Sequence, residues 1–387
     1  MDIKQIAQFV NEATQEITGE TALIQEDLSN VVEAGDTLAN VGGIDAYVRN
    51  LPNVIGKYLF VNRKYNGSAP SVLMDGWEFG SILGKIRATL PDAEINESWE
   101  LQDNAAYDMQ VFHKPDVSAK FFNKLVTFEI PLSICERQVK QSFHSAGELS
   151  AFIEMLYNEI EKKMTIALDG LIMRTINNFA AETIYNGVGT TYANTSIRAV
   201  NLLNLYNTNH SGATLTVAEA MESPEFIRFA VYTMGLYRDR MSKISTLFNM
   251  GGTEKFTPTE MQKMVLLSDF ARAARVFLYD ANGQFKSDNL SFGDFDTVPM
   301  WQGSGTSYSF TDVSTINVTT TESHSINCSG VLGVLFDRDA IAVCNRNRRT
   351  TTAPYNAKGE FWNSYFKSDA EYINDFDENG VVFYIHA

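Results

Sequence analysis

The chain has 387 residues, 44% of them hydrophobic, and a formal net charge of −16. This acidic balance argues against a protein that grips nucleic acid by counterion release, because such binding requires a basic surface. No apolar run approaches the roughly 18 residues of a membrane-spanning helix, and we expect no signal peptide at the N-terminus. The three cysteines, Cys135, Cys328 and Cys344, are widely spaced, which favours a reducing compartment over a disulfide framework.

The first 70 residues show three stretches with helical spacing of apolar residues. The clearest is Ile3 to Ile17, and weaker patterns follow at 23–38 and 44–59. Ile3 to Ile17 is too short and too sparse in apolar residues to form a stable isolated helix. We therefore interpret the N-terminal region as an arm that packs on another surface.

Two extended segments are predicted next, at Ile82–Thr89 and Lys124–Leu132. The sequence between them is polar and contains Pro91 and Pro115. A connection of this length without strong structure is usually functional or an interaction loop. The alternative interpretation is a disordered insertion.

The strongest single signal is a long helix from Ser145 to Ala181. It opens with the capping box Ser145-Ala146-Gly147-Glu148. Apolar and small residues then recur every three or four positions, at Leu149, Phe152, Ile153, Leu156, Ile160, Met164, Ala167, Leu168, Leu171, Ile172, Thr175, Ile176 and Phe179. The residues that fall mostly off this face are Glu154, Asn158, Glu159, Glu161, Lys162 and Lys163.

At about 1.5 Å per residue such a helix runs on the order of 50 Å and needs an equally long partner surface. We predict that this surface is a sheet formed by the C-terminal strands. The alternative is a helix of an all-helical bundle.

Residues 191–330 are predicted to form a mixed α/β module. Ser223-Pro224 is an N-cap followed by proline at the first helical position, so a helix is expected from there to Met241. Thr257-Pro258-Thr259-Glu260 is a second capping box, which predicts a helix toward Ala274. The predicted strands are Ile244–Phe248, Arg275–Tyr279, Ile316–Thr319 and Gly330–Phe336, with a loop-rich stretch at 281–305.

The C-terminal stretch is predicted to be almost entirely strand and turn. Its strands are Ala340–Cys344, Arg349–Pro354, Glu360–Lys367 and Val381–Ile385, separated by tight-turn residues at 356–359 and 378–380.

The sequence offers no set of residues for catalysis or for binding a cofactor or metal. Phosphate-cradling loops and the nucleophile elbow Gly-x-Ser-x-Gly are both absent. Five histidines show no metal-ligand spacing with one another or with a cysteine: His113, His144, His210, His324 and His386. We therefore predict no catalytic, cofactor-binding or metal residue, and no enzyme.

One stretch comes near to a calcium loop. Asp375 to Gly380 matches the first half of the D-x-D-x-N-G pattern. The twelfth position, where a bidentate Glu belongs, is His386, and a strand rather than a helix follows. A solvated acidic hairpin turn is the preferred interpretation over a calcium site.

Arg346, Arg348 and Arg349 form the one tight basic cluster in the sequence. Such a cluster could bind phosphate. Because Asp337 and Asp339 lie nearby in the chain, we favour an ion-pairing patch within or between subunits.

The order of these parts resembles that of the major capsid (major head) protein of tailed bacteriophages, which has the HK97-like fold. A helical arm, a long two-stranded excursion, a long helix, an inserted α/β module and returning strands follow one another in both. The residues that carry the resemblance best are Gly333–Val343, Arg348–Asn356 and Asn374–Phe383.

The resemblance implies an α+β, HK97-like capsid fold. Its first parts would be an N-terminal arm at 1–70 and an excursion with flanking peripheral-domain strands at 71–145, in which the extended E-loop hairpin covers about 86–126. A peripheral-domain spine helix at 146–190, an axial α/β domain at 191–332 and closing peripheral-domain strands at 333–387 would follow. Lys114 and Lys120 lie in the E-loop region, but no crosslinking partner is recognisable.

The implied function is a structural subunit that assembles as hexamers and pentamers into an icosahedral head shell. The shell would enclose double-stranded DNA without tight specific binding, and would form in the bacterial host cytoplasm before residing in the virion. A separate scaffolding protein, or prior cleavage, is implied because the chain lacks a long N-terminal scaffolding segment; a portal is implied too, and no cofactor or membrane. Two alternatives are an encapsulin-type host nanocompartment shell and a cytosolic enzyme without a recognisable site.

Overall fold

The computed structural model describes residues 69–74, 83–89, 93, 100–103, 105, 110, 112–135, 146–210, 214–277, 295–302 and 307–387. The chain divides into two compact units, one formed by Trp77–Lys124 and the other by Met1–Gly76 together with Leu125–Ala387. The predicted helices of the first 60 residues, and the Ser145 cap, lie outside the described residues.

The helices in this part of the chain are α1 (Ala146–Val188), α2 (Leu202–Asn209), α3 (Val217–Glu222), α4 (Pro224–Met241), α5 (Ser268–Phe277) and α6 (Phe310–Val313). The strands are β1 (Leu73–Met74), β2 (Leu83–Thr89), β3 (Asp116–Phe122), β4 (Leu125–Cys135), β5 (Ala199–Asn201), β6 (Gln262–Leu267), β7 (Asp296–Val298), β8 (Ile316–Thr319), β9 (Ser325–Cys328), β10 (Val331–Asp337), β11 (Ile341–Thr352), β12 (Phe361–Asn374) and β13 (Gly380–Tyr384). Short 3₁₀ turns lie at Pro70–Val72 and Thr259–Met261.

A five-stranded sheet in the order β5-β13-β10-β6-β7 forms the centre of the larger unit. Every residue of β10 and β13 is buried. Val334 and Phe336 face a core shared with α1, whereas Leu332 and Leu335 face a second core shared with α2, α4 and α5. Strands that are buried on both faces have nearly continuous apolar sequences, and the sequences of β10 and β13 show this pattern.

Helix α1 confirms the predicted long helix and continues past Ala181 to Val188, where Gly189 follows with a φ of 65°. Among its described side chains, Ile160, Met164 and Leu168 mark one buried face, and all residues from Thr175 to Ile184 are buried. The helix packs on β11, β12 and β13, so C-terminal strands form its partner surface as predicted, but these strands belong to two sheets and not to one.

A second, four-stranded sheet has the order β1-β11-β12-β4. Strands predicted separately at 340–344 and 349–354 are one strand, β11, with a register shift between Asn345 and Asn347. Strand β4 pairs with β12 and not with β2. Instead, β2 pairs with β3, which lies in the stretch that was expected to have no strong structure.

The predictions for 244–279 are wrong in three places. The expected strand Ile244–Phe248 is reduced to one bridge between Ser245 and Lys255. The helix expected from Thr257 toward Ala274 begins only at Ser268, as α5, because β6 occupies Gln262–Leu267 and Pro258 precedes only a 3₁₀ turn without a side-chain cap. The third is the strand expected at Arg275–Tyr279, because residues 275–277 end α5.

The predicted start of α4 is confirmed. The Ser223 hydroxyl oxygen accepts a hydrogen bond from the Phe226 N–H at 3.4 Å, and Pro224 occupies the first turn. This arrangement satisfies an N–H that the helix leaves unpaired. The strands expected at 316–319, 330–336 and 381–385 are present within one or two residues as β8, β10 and β13.

Two glycines with positive φ allow a matched test of this packing. A Cβ at Gly330, whose φ is 80°, would overlap the carbonyl oxygen of Ile385, whereas a Cβ at Gly189 would meet nothing within 4 Å. Gly189→Ala should cost about 1–2 kcal/mol, the price of a left-handed conformation. Gly330→Ala should cost several kcal/mol more, because a backbone must also move. Thermal or urea unfolding of both variants measures the difference, and equal losses would contradict the close approach of β10 and the chain end.

Candidate assembly surface

The smaller unit presents an antiparallel hairpin made of β2 and β3. Its register runs from Leu83 opposite Phe122 to Thr89 opposite Asp116. Residues directly opposite each other in such a pair lie on the same face, and successive residues alternate between faces. The register therefore sorts the hairpin side chains into two faces.

One face of the hairpin is entirely apolar. It carries Ile86, Ala88, Val117, Ala119 and Phe121. The side chains of Ile86, Val117 and Phe121 are 74%, 58% and 68% exposed. An isolated two-stranded hairpin is at best marginally stable in water, and contiguous exposed apolar side chains mark interaction sites.

The opposite face carries three cations and one carboxylate, Asp116. Lys85 and Lys120 lie directly across from each other, and Arg87 is the next residue on that face. The two ammonium groups lie 5.9 and 5.8 Å from the centre of the Phe122 ring. A cation over an aromatic face is stabilised by about 0.5–1 kcal/mol at an exposed site, which offsets the repulsion between two lysines.

Strand β3 was not predicted from the sequence, although its residues show a strand pattern. From Val117 to Phe121, apolar residues alternate with polar ones, which is the period of a half-buried strand. The two prolines and the polar flanks on either side obscured it.

The arginine cluster forms ion pairs within the chain. Arg348 Nη1 lies 3.0 Å from Glu161 Oε1, and Arg349 pairs with Asp369. Burial raises the pKa of Glu161, and Arg348 opposes that shift. Glu161, which was placed off the buried face of α1, is thus an ion-pair partner. Of the partners predicted from sequence, Asp337 accepts a hydrogen bond at Oδ2 from the Thr257 hydroxyl at 2.6 Å and another at Oδ1 from the Asp339 N–H.

The acidic turn at 375–380 holds a lysine. Lys255 Nζ donates to the carbonyl oxygen of Asp377 and lies 3.5 Å from Glu378 Oε2. Asp375 is buried and accepts from the Asp377 N–H at 3.3 Å. An ammonium group therefore packs against this turn, and no cluster of three or more potential metal ligands occurs among the described residues.

Two of the described histidines stack on tyrosine rings. His324 Nδ1 lies 2.9 Å from Glu182 Oε1, and its ring stacks on Tyr185 at 3.8 Å. His210 stacks on Tyr206 at 4.2 Å. His113 is exposed, His386 lies at the chain end beside Asn201, and His144 falls outside the described residues.

Cys328 and Cys344 are buried. Burial raises the pKa of Cys328 to about 12, which keeps it protonated and unreactive near neutral pH. Within the described ranges, no helix has the length and apolar character needed to cross a membrane.

Comparison with known proteins agrees with a structural role. A family model described as Phi29-like phage major capsid protein matches residues 6–384. The capsid structure of Staphylococcus phage Andhra is similar, with 11% identity, a TM-score of 0.51, and coverage of 84% of this chain and 89% of that chain. The capsid structure of the cyanophage P-SCSP1u has 9% identity and a TM-score of 0.46, and the match covers 85% and 94% of the two chains. No curated protein sequence matches the chain.

The lysine in the acidic turn yields a testable prediction. Lys255→Met should lower the free energy of unfolding by about 1.5–3 kcal/mol, because it removes a charged hydrogen bond from a partly buried site. Lys243→Met, at an exposed lysine in the same loop, is the matched control and should change stability by no more than about 0.5 kcal/mol. Urea unfolding followed by fluorescence compares them. A Lys255 variant as stable as the control would show that the ammonium does not hold the turn.

Proposed function

Because the chain belongs to the Phi29-like phage major capsid protein family, we propose that it assembles as hexamers and pentamers into an icosahedral shell around a double-stranded DNA genome. Membership in this family makes it a structural subunit of the phage head shell, located in the virion capsid, and not an enzyme. The same family membership favours a phage head shell over the two alternatives, a host nanocompartment shell and a cytosolic enzyme.

The proposed layout follows the HK97-like plan of mixed α and β elements. The parts are an N-terminal arm at 1–70, an excursion at 71–145, a spine helix at 146–190, an axial domain at 191–332 and closing strands at 333–387. The 43-residue length of α1 supports the spine helix. Since β10 and β13 lie in the same sheet as β5, β6 and β7, the proposed axial domain and the closing strands are built on one continuous sheet.

The observation that carries the assembly proposal is the exposed apolar face of the β2–β3 hairpin. We assign this hairpin to the extended E-loop and propose that it lies over a neighbouring subunit. Burying Ile86, Val117 and Phe121 against a neighbour would stabilise the contact by roughly 1.5–3 kcal/mol for each side chain. A head-to-tail contact of this kind closes into rings when the rotation permits.

A separate scaffolding protein and a portal are proposed as partners during assembly in the host cytoplasm. The high net charge supports this proposal, because mutual repulsion of copies carrying −16 each opposes premature self-association. A scaffold would then bring the subunits together at the required stage.

Contact with DNA is proposed to be weak and independent of sequence. Two of the three clustered arginines, Arg348 and Arg349, already pair with carboxylates of the same chain. These two arginines are therefore already engaged and add little to the displacement of counterions from phosphate. A wall of this kind encloses the duplex without retarding its entry.

The hairpin proposal predicts that Phe121→Asp abolishes shell formation and leaves the subunit folded. The side chain is exposed in the subunit, so the variant should keep the wild-type unfolding temperature, while a charge in the contact would remain unpaired and buried. Ser118→Asp, on the opposite face of the same strand, is the control. Light scattering and negative-stain microscopy measure assembly. A wild-type protein that stays monomeric with its scaffolding partner at every salt and protein concentration would refute the shell function itself.

For DNA, we expect a dissociation constant weaker than about 1 μM at near-physiological salt, in the range of non-specific binding. Fluorescence anisotropy with a labelled duplex provides the measurement. The variant Arg348→Ala/Arg349→Ala should bind no differently from the wild type. A nanomolar constant that this variant loses would instead indicate a nucleic-acid-binding function.

A further inference from the structure

A small polar pocket lies in the larger unit, between helix α1, the tip of the β8–β9 hairpin and the end of β12. Its volume is about 190 Å³, which is below the roughly 300–1,000 Å³ of pockets for drug-sized ligands. The pocket therefore suits a small ion better than a larger organic molecule. The side chains on which the argument depends are Arg174, Asn178, Thr320, Thr321, Tyr372 and Asn374.

Arg174 carries the only formal charge among the described residues that line the pocket. Its side chain is exposed, and it forms no hydrogen bond or ion pair with any residue that the structure describes. In a chain with 47 acidic and 31 basic residues, a pocket lined by an arginine and by no carboxylate is distinct in sign from its surroundings. A guanidinium presents five N–H donors in a fork that matches an oxyanion.

Hydroxyl groups around the pocket add further donors. Thr320 Oγ1 accepts from the His324 N–H at 3.1 Å, and Thr321 Oγ1 accepts from a side-chain amide of α1 at 3.4 Å. Neither hydroxyl donates to a described residue, so both protons are available to a ligand, and Tyr372 brings a third hydroxyl. The lining also holds one unpaired side-chain acceptor, the buried Asn374 Oδ1. Unused donors therefore outnumber unused side-chain acceptors, which favours an anion.

The walls of the pocket are bonded to one another without a ligand. Asn178 Oδ1 accepts from the Thr321 N–H at 3.0 Å, and one turn further along α1 Glu182 contacts His324 at 2.9 Å. Arg174 lies one turn before Asn178, so it shares the helix face that holds the hairpin. Donors thus converge from three elements. This arrangement suits a tetrahedral anion, whereas a planar carboxylate can be satisfied by one guanidinium through two parallel bonds.

We propose that this pocket binds a tetrahedral oxyanion of the size of phosphate. Arg174 is the charged partner, and the hydroxyls of Thr320, Thr321 and Tyr372 donate to the remaining oxygens. The bound anion joins the long helix to the β8–β9 hairpin and to β12, and because it binds the folded chain it stabilises the fold by mass action. The net charge of −16 opposes the approach of an anion, so the expected affinity lies in the millimolar range. This site is separate from the proposed assembly contact and does not depend on it.

Isothermal titration calorimetry of the full chain with inorganic phosphate, at constant ionic strength in chloride, tests the proposal. We expect saturable binding with one phosphate per chain. Arg174→Gln should weaken it by at least about tenfold, because a charge-assisted hydrogen bond is lost. Arg228→Gln is the matched control, since Arg228 is an exposed arginine of α4 that likewise has no hydrogen bond or ion pair with a described residue. The control should bind phosphate as the wild type does.

Three results of the titration would overturn the assignment: no saturable heat, equal affinity of the Arg174 and Arg228 variants, or tighter binding of glutamate than of phosphate. The last result would indicate a site for a carboxylate. Both arginines are exposed, so each variant should keep the wild-type unfolding temperature in chloride.

Hydrogen exchange measured by mass spectrometry provides an independent test of where the anion binds. Phosphate should slow amide exchange at 319–324 and at the end of β12 in the wild type and in Arg228→Gln, and should have no such effect in Arg174→Gln. Phosphate also strengthens folded proteins in general by exclusion from their surface. Slowing spread evenly over the chain, or retained in Arg174→Gln, would therefore contradict a specific site.

Discussion

The larger unit depends on burying both faces of the two strands β10 and β13. Alternate side chains of these strands enter two different cores, so neither core closes without them. The packing is close: a Cβ at Gly380 would come within 2.5 Å of the Phe179 ring on α1. Because an interior at this density admits no extra atom without a shift, the long helix, the helices on the other face and the chain end hold one another in a single arrangement.

Beside that sheet, buried polar groups fix the loops that reach the surface. The Thr257 hydroxyl donates to Asp337 at 2.6 Å and accepts from the Asn379 amide at 3.1 Å. Both carboxylate and amide lie on strands or turns of the central sheet, and all three residues are buried. A satisfied polar network of this kind specifies one geometry. Through it, the loop after α4 acquires a definite shape without a strand or helix of its own.

The distribution of charge fits a container. Several cations of this acidic chain, among them Arg348, Arg349 and Lys255, bind carboxylates or carbonyl oxygens of the same chain. The chain as a whole keeps a formal net charge of −16, and its described residues include exposed apolar patches. An acidic surface repels phosphate at a distance, while the patches offer places where copies can meet. The acidic charge and the exposed patches both suit a subunit of the phage capsid family to which the chain belongs.

The sequence by itself determined whatever depends on local spacing. The period of three and four in α1, the Ser223-Pro224 start of α4, and the C-terminal strands with their turns are all legible without tertiary structure. The order of the parts also pointed to a capsid fold. Tertiary structure alone decided that Gln262–Leu267 is a strand, because the apolar run Met264–Leu267 has no period and forms a strand only between two helical layers. It also decided the partners of Arg348 and Arg349 and the pairing of β2 with β3, since contacts between residues far apart in the chain are fixed by packing and leave no trace in local sequence.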